Sequence, residues 1–373
     1  MNEFNNFEKF DSYLQELWGA LQVKIDRMVK ENKSAHVSAE GVYDNIPVDW
    51  WTSGFWPGIL WIMYDMTKKK EYHNAAWEWD VRIEQCFIEE SRLHHDVGFQ
   101  FLPTAVIKHK ITGDQDARRR GLQAANFLSG RFNIAGNYLR AWNDQNGWAI
   151  IDSSMNISLL FWAAEEIGDP RFKHIAKAHA DTVLKNFIRE DGSVCHIASF
   201  DAESGEFIES LGGQGYDPHS AWSRGQAWAI YGMANTYKYT GEVRYLRAAQ
   251  KVAHFFLAAL PDDYVPYWDF RVPNFDGEPR DTSAAACAAS GLIEIANHLP
   301  EQEGRMYKKA AKRIIHSLTN HYATWDQPEY EGLLREGVGN RVKNKNVNVS
   351  LIYGDYFYIE AIAKLLGWEN NIF

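Results

Sequence analysis

Asp152 stands alone between two apolar runs, Trp148-Ala149-Ile150-Ile151 before it and Met155-Asn156-Ile157-Ser158-Leu159-Leu160-Phe161-Trp162 after it. A carboxyl group in apolar surroundings loses hydration. That favours its neutral form and suits it to proton transfer. Asp is equally a favoured helix N-cap, and the two roles are compatible. A second acid, Asp96, follows His94-His95. Two interacting carboxyls divide a proton unequally, one neutral and one charged, as acid–base chemistry requires. His94, His95 and Asp96 are also metal-ligand types. Adjacent ligands are expected to point in different directions, and no further cluster has the spacing of a known site. Neither a metal nor another cofactor is therefore expected, and His95 is otherwise a candidate for a hydrogen bond within its loop. Arg224 lies between Trp222 and Trp228, sharing a helical face with position 228. A guanidinium among aromatics suits a carboxylate or sulfate of a substrate, or an internal salt bridge with an aspartate of the same rim. Asp281 precedes Thr282-Ser283-Ala284 as an N-cap would, and Asp269 is left without a role.

Aromatic residues make up 14% of the 373-residue chain, and many tryptophans stand beside polar groups: Asp49-Trp50-Trp51-Thr52, Arg140-Ala141-Trp142-Asn143 and Ala221-Trp222-Ser223-Arg224. Aromatic faces next to hydrogen-bonding groups suit sugar rings, which are apolar on their faces and polar at their edges. The net charge of -10, with no dominant Lys/Arg cluster, argues against a nucleic-acid partner. Cys86, Cys195 and Cys287 are far apart and form no CxxC pair, which fits a reducing compartment and a cytoplasmic protein. The segment Met1–Phe10 has neither the basic nor the apolar region of a signal peptide, and no apolar run reaches the length of a membrane span. A monomer or homodimer is expected.

To bring these residues together the chain must fold them onto one surface. Apolar periodicity predicts twelve helices, near 7–31, 54–67, 71–89, 103–112, 115–132, 153–167, 170–188, 223–240, 242–259, 282–298, 304–323 and 351–366. They come in pairs joined by short links such as Thr112-Gly113-Asp114, Ile167-Gly168-Asp169 and Thr240-Gly241-Glu242. The glycine would take the left-handed conformation that ends one helix, and the acid would cap the next. Within a pair the first helix is apolar on all sides and the second amphipathic, as expected for a buried helix and one facing solvent. Six such hairpins describe an all-α fold, an (α/α)6 barrel of six inner and six outer helices, in a single domain over 1–373. The long connections, near 32–53, 90–102, 133–152, 189–222, 260–281 and 324–350, would share one rim. They carry the polar-aromatic segments.

Several of these segments also stand together in a known family. The chain resembles the unsaturated glucuronyl hydrolases of glycoside hydrolase family 88 through Trp51-Thr52-Ser53-Gly54-Phe55-Trp56, His94-His95-Asp96-Val97-Gly98-Phe99, Ile150-Ile151-Asp152, Ser223-Arg224-Gly225-Gln226-Ala227-Trp228, Tyr267-Trp268-Asp269-Phe270, Arg280-Asp281-Thr282-Ser283 and Gly354-Asp355-Tyr356. The resemblance implies the same barrel. It also implies an enzyme that hydrates the C4=C5 double bond left by polysaccharide lyases in a nonreducing-end uronic acid. On this footing Asp152 is the general acid and base and Asp96 the assisting acid. Trp51, Phe55, His95, Trp142, His196, Gln214, Trp222, Arg224 and Trp228 are the implied substrate-binding positions. The implied partner is an unsaturated oligosaccharide, most readily a glycosaminoglycan-type disaccharide. One departure concerns Gly213, where the family carries a His before the position of Gln214. The basic stretch Asn340-Arg341-Val342-Lys343-Asn344-Lys345-Asn346 falls where the family borders the second sugar, so it is a candidate for a sulfate or carboxylate contact or a solvated loop. Alternatives are the sister family of unsaturated rhamnogalacturonyl hydrolases, a barrel-fold sugar epimerase and a non-catalytic sugar-binding module. An epimerase would need two histidines facing each other across a sugar, and a binding module would not need an isolated acid.

Overall fold

The computed structural model describes residues 7–38, 40–89 and 91–373, so most of the segment read as lacking a leader lies outside the described residues. Outer helix α1 (Phe7–Met28) is followed by inner α2 (Phe55–Thr67), and outer α3 (Lys70–Ala76) and α4 (Trp79–Glu84) by inner α5 (Val97–Phe101) and α6 (Ile107–Thr112). Outer α7 (Gln115–Ser129) leads to inner α8 (Ser153–Asn156) and α9 (Ser158–Ile167), and outer α10 (Pro170–Asn186) to inner α11 (Ser223–Thr240). Outer α12 (Val243–Ala259), inner α13 (Thr282–Asn297), outer α14 (Glu301–Ser317) and inner α15 (Ile352–Leu365) complete the ring, with α15 packed against α2. This is the expected (α/α)6 barrel.

Burial follows the two kinds of helix. In α11 every residue from Ser223 to Thr236 is buried, whereas α12 buries one stripe that includes Tyr245, Ala249, Val252 and Phe256, at spacings of three and four. Gly113, Gly168 and Gly241 end their helices with φ of 75, 66 and 69°, a region in which a glycine pays no steric penalty. Asp114 and Asp169 then cap α7 and α10 by accepting from Ala117 N and Arg171 N. Glu242 does not cap α12; its carboxylate pairs with Lys177 and Arg244 instead.

Some boundaries differ from expectation. The single helix expected over 71–89 is broken into α3, α4 and a 3-10 turn at Gln85–Phe87. The carbonyl of Trp77 accepts from buried Lys108 Nζ at 2.8 Å, and Lys108 also pairs with buried Asp80 at 3.1 Å. The helix expected to start at 103 begins at Val97 and passes Pro103 in a π-helical turn over Leu102–Val106.

The long connections are not structureless. They contain β1 (Val37–Ser38), β2 (Phe132–Asn133), β3 (Tyr138–Leu139), β4 (Trp148–Ile150), β5 (Ile197–Phe200), β6 (Phe207–Leu211), β7 (Gly337–Asn340) and β8 (Lys345–Leu351). Antiparallel pairing gives the sheets β4–β5–β6 and β1–β8–β7 and the hairpin β2–β3. Two of these sheets set the walls of the site. The register Ile150↔Ile197 brings His196 beside Asp152, and the β7–β8 turn carries the basic stretch.

Candidate active site

One cavity of about 810 Å³ collects residues from five of the six long connections; the stretch 260–281 does not reach it. Its volume falls in the range that encloses a small ligand. Asp152, Asp96, Trp51, Trp142, His95, His196, Gln214 and Arg224 all line it.

Asp152 leaves β4 and precedes α8, but it does not cap that helix. Its backbone is already helical at φ -56°, ψ -30°, and its side chain accepts no capping hydrogen bond. An N-cap side chain reaches back to the helix from an extended backbone, and Asp152 lacks that geometry. Its carboxyl turns to the cavity instead. Oδ2 is buried without a hydrogen-bond partner, 3.6 Å from His196 Nε2. The tautomer of His196 follows from its other nitrogen. Nδ1 accepts from Gln214 N at 2.9 Å, so the ring proton sits on Nε2, facing Asp152.

The departure at Gly213 has its cause here. Gly213 has φ +60°, and a Cβ on it would lie 2.0 Å from His196 Nδ1. Only a residue without a side chain lets the next amide reach His196. A histidine at 213 is incompatible with this loop.

Asp96 is differently placed. It receives Asn156 Nδ2 at 3.0 Å and faces His95 Nε2 at 3.1 Å and His94 Nδ1 at 3.6 Å. Burial alone would raise its pKa, but His95, His94 and Asn156 outweigh burial and hold it below the ordinary carboxylate value. His95 is fully buried and its Nδ1 lies 2.8 Å from the carbonyl of Ala141, which fixes a proton on that nitrogen. His94 stacks on His95 at 4.7 Å, and burial pushes its pKa down to about 4. The expectation that these neighbours diverge is corrected: ligand-type atoms of His94, His95 and Asp96 all lie within 4.8 Å of one another. Stacked on one wall, the two histidines do not face each other across the cavity, as an epimerase would require.

Arg224 forms the internal salt bridge that was one of its two expected roles. Nη1 donates to Asp281 Oδ2 at 2.9 Å and to the carbonyl of Val338 at 2.5 Å, and Nη2 donates to Gln214 Oε1 and the carbonyl of Gly339, each at 2.9 Å. The guanidinium lies between the rings of Trp222 and Tyr353, 4.5 and 5.3 Å from their centroids. It therefore latches the β7 backbone and Gln214 to the barrel. Asp281 caps α13 as expected, accepting from Ser283 N and Ala284 N, while also partnering Arg224. Asp269 anchors a loop, accepting from Tyr216 N, Ala221 N and Arg271 N.

Three expected contacts move behind the wall. Phe55 and Trp228 are wholly buried, Trp222 is 3% exposed, and none of them lines the cavity. Phe55 packs against Trp51 and Tyr353, Trp228 against Phe99 and Phe357, and Trp222 under Arg224 and beside His196. Their burial leaves them to support the residues that reach the ligand space.

Sequence reasoning missed His36, Tyr353, Asp144 and Gln145, which also line the cavity. Tyr353 directly precedes the Gly354-Asp355-Tyr356 segment, a signal that was at hand. His36 gives no local signal, because only the pairing of β1 with β8 brings it in. Burial lowers the pKa of His36 to about 4.

The model of Glycosyl Hydrolase Family 88 matches residues 23–364. An unsaturated glucuronyl hydrolase of Bacillus sp. strain GL1 is 38% identical over 327 residues, 84% of this chain and 86% of that protein. An unsaturated chondroitin disaccharide hydrolase of Streptococcus pneumoniae is 35% identical over 352 residues, 92% of this chain and 88% of that protein. The crystal structure of an unsaturated glucuronyl hydrolase from Streptococcus agalactiae superposes with a TM-score of 0.91 at 31% identity, covering 96% of this chain and 93% of that one.

Proposed function

The chain belongs to glycoside hydrolase family 88, and from that premise we propose that it removes the Δ4,5-unsaturated glucuronyl residue from the nonreducing end of lyase-generated oligosaccharides, glycosaminoglycan-type disaccharides foremost, by hydrating its C4=C5 bond. The observation that carries this reading is the unpartnered, buried Asp152 Oδ2 opening on a disaccharide-sized cavity that also takes in Asp96, an acid held by Asn156 and faced by His95. Asp152 donates its proton to C4 of the enol ether, and ring oxygen stabilises the positive charge left at C5. Water adds at C5 and returns a proton to Asp152. The resulting hemiketal opens to a ketone, and the anomeric centre releases the second sugar as an alcohol. One residue thus serves as acid and then as base. The carboxylate-spacing rule for retention and inversion does not apply, since the anomeric carbon is not attacked.

Trp51 and Trp142 offer faces to the flattened ring, and His196 and Gln214 offer polar groups to its hydroxyls and carboxylate. Arg224 acts through Gln214 and the β7–β8 turn. His95 and Asn156 hold Asp96. Among the described residues no helix is long and apolar enough to cross a membrane, and the three unpaired cysteines support a cytoplasmic setting.

Mixing the protein with unsaturated disaccharides from chondroitin, hyaluronan, heparin, gellan, ulvan and pectin lyase digests tests the reading. Ultraviolet absorbance of the conjugated enol ether falls with at least one of the uronyl substrates. Absorbance that stays constant with all of them, at mildly acidic to neutral pH, would sink it.

Lys343 and Lys345 line the cavity from the β7–β8 turn, while Arg341 is engaged with Glu278 at 3.0 Å. The two lysines are the groups assigned to a sulfate or carboxylate on the second sugar. Replacing both with serine is expected to lower kcat/KM for a sulfated disaccharide by about fivefold to tenfold, since a solvent-exposed charge pair is worth about 1 kcal/mol. Turnover of the unsulfated counterpart stays within about twofold, because those contacts carry no charge partner there. An unchanged ratio between the two substrates would reduce the stretch to a solvated loop.

A further inference from the structure

Asn156 ends the four-residue helix that Asp152 opens, and it is fully buried. One hydrogen of its amide goes to Asp96 Oδ1 at 3.0 Å and the other to the carbonyl of Asp152 at 3.1 Å. Its oxygen accepts from Phe99 N at 2.8 Å. These three partners fix which end of the amide is oxygen. A flipped side chain would set its NH2 group against the N–H of Phe99 and its oxygen against a carbonyl and a carboxylate. Asn156 is therefore an obligatory donor to Asp96.

The contact is held from both sides. Gly98 faces Asn156 so closely that a Cβ there would lie 2.6 Å from its Cα and from its Oδ1. The first turn of α5, which Asp96 precedes, is thereby pressed against α8. The two acids are then treated unequally. Asp96 Oδ1 accepts from the Asn156 amide and faces His95 Nε2 at 3.1 Å, while Asp152 Oδ2 makes no hydrogen bond and has His196 Nε2 no nearer than 3.6 Å.

We propose that Asn156 is a positioning residue that locks Asp96 as the charged, accepting member of the pair, so that proton transfer to the substrate falls to Asp152. The assignment rests on the proposed pair of acids and adds the reason for their division of labour. The donor matters because a hydrogen bond to the charged form of a carboxyl favours that form, and losing it lets the pKa rise.

The test compares Asn156→Ala and Asn156→Asp with the wild type. In Asn156→Ala, kcat falls by about 10- to 100-fold, the range for a hydrogen bond to a charged group, while KM stays within about twofold. The acid limb of kcat/KM moves to higher pH, because Asp96 has lost a group that held its pKa down. Asn156→Asp keeps the shape but replaces the donor with a second carboxyl, and it loses more kcat at neutral pH than the alanine variant. An unchanged kcat would overturn the proposal. So would a loss shared equally by kcat and KM with the acid limb unmoved, which would mark Asn156 as merely structural. Should neither variant fold, infrared titration of the unliganded wild type against Asp96→Asn decides. Asp96 is expected to titrate below the ordinary aspartate range, and a midpoint above that range refutes the idea. That measurement uses no substrate, so its failure is distinct from an absence of turnover.

Discussion

Asp152→Asn is expected to retain less than about one thousandth of wild-type turnover, because a residue that acts as both acid and base supplies about 10²- to 10⁴-fold and both steps fail without it. The same substitution is expected to leave the fold intact. Asp152 Oδ2 makes no hydrogen bond, and its side chain does not cap α8, so an isosteric amide breaks nothing in the protein. Absorbance decay of an unsaturated disaccharide and thermal unfolding, measured on one preparation, separate the two effects. Turnover above about a tenth of wild type would remove Asp152 from its role, since general acid–base catalysis cannot be that small. A parallel collapse of stability would show instead that the carboxyl is structural.

The second large effect is on stability and comes from Arg224→Met. The substitution leaves Asp281 wholly buried without its counter-ion and releases the carbonyls of Val338 and Gly339. Breaking a buried ion pair from one side costs about 3–5 kcal/mol. The midpoint of urea unfolding therefore drops markedly, and kcat/KM falls with it as Gln214 and the β7–β8 turn lose their anchor. The double variant Arg224→Met, Asp281→Asn is expected to regain much of the stability. An asparagine still caps α13 but leaves no charge stranded. If the double variant is no more stable than the single one, the penalty comes from the released backbone and not from the charge. Activity is not expected to return in the double variant, because the latch on Gln214 is still missing.

Much of this architecture was legible in the sequence because it is written locally. Gly113, Gly168 and Gly241 stop helices where only a glycine sits easily, and the all-apolar character of α11 against the single stripe of α12 separates inside from outside. What stayed hidden depends on distant pairing. Strand β1 has two residues and no periodicity to detect, and its partner Leu351 lies at the far end of the chain. His36 was invisible for the same reason. The break at Trp77 was hidden because a lysine from another helix, Lys108, draws its carbonyl away.

Among the residues that line the cavity, the two acids and His94, His95 and His196 were singled out by residue type and family resemblance. The errors concern aromatics. Trp228 shares a helical face with Arg224, but one turn further along α11 it is wholly buried and only Arg224 lines the cavity. Spacing tells which residues are neighbours and says nothing about which side of a wall they occupy. The Gly213 departure, in contrast, was visible as a single residue, and its cause is a single contact with His196.

The closure of the ring has a kinetic consequence. Lys24 on α1 reaches Thr324 Oγ1 at 2.7 Å across 300 positions, and also the carbonyls of Gln327 and Tyr330. Strand β1 pairs with β8, and α2 packs on α15. During synthesis the earliest helices emerge long before the segments that complete their burial exist. They must wait with apolar faces uncovered, while the loop to be closed is nearly as long as the chain. Local hairpins can form at once, but α1 and α2 can be covered only once β8 and α15 have been made. The seam between α1–α2 and β8–α15 thus closes late, and a chain arrested shortly before β8 would carry both proposed catalytic acids on a barrel still open along that seam.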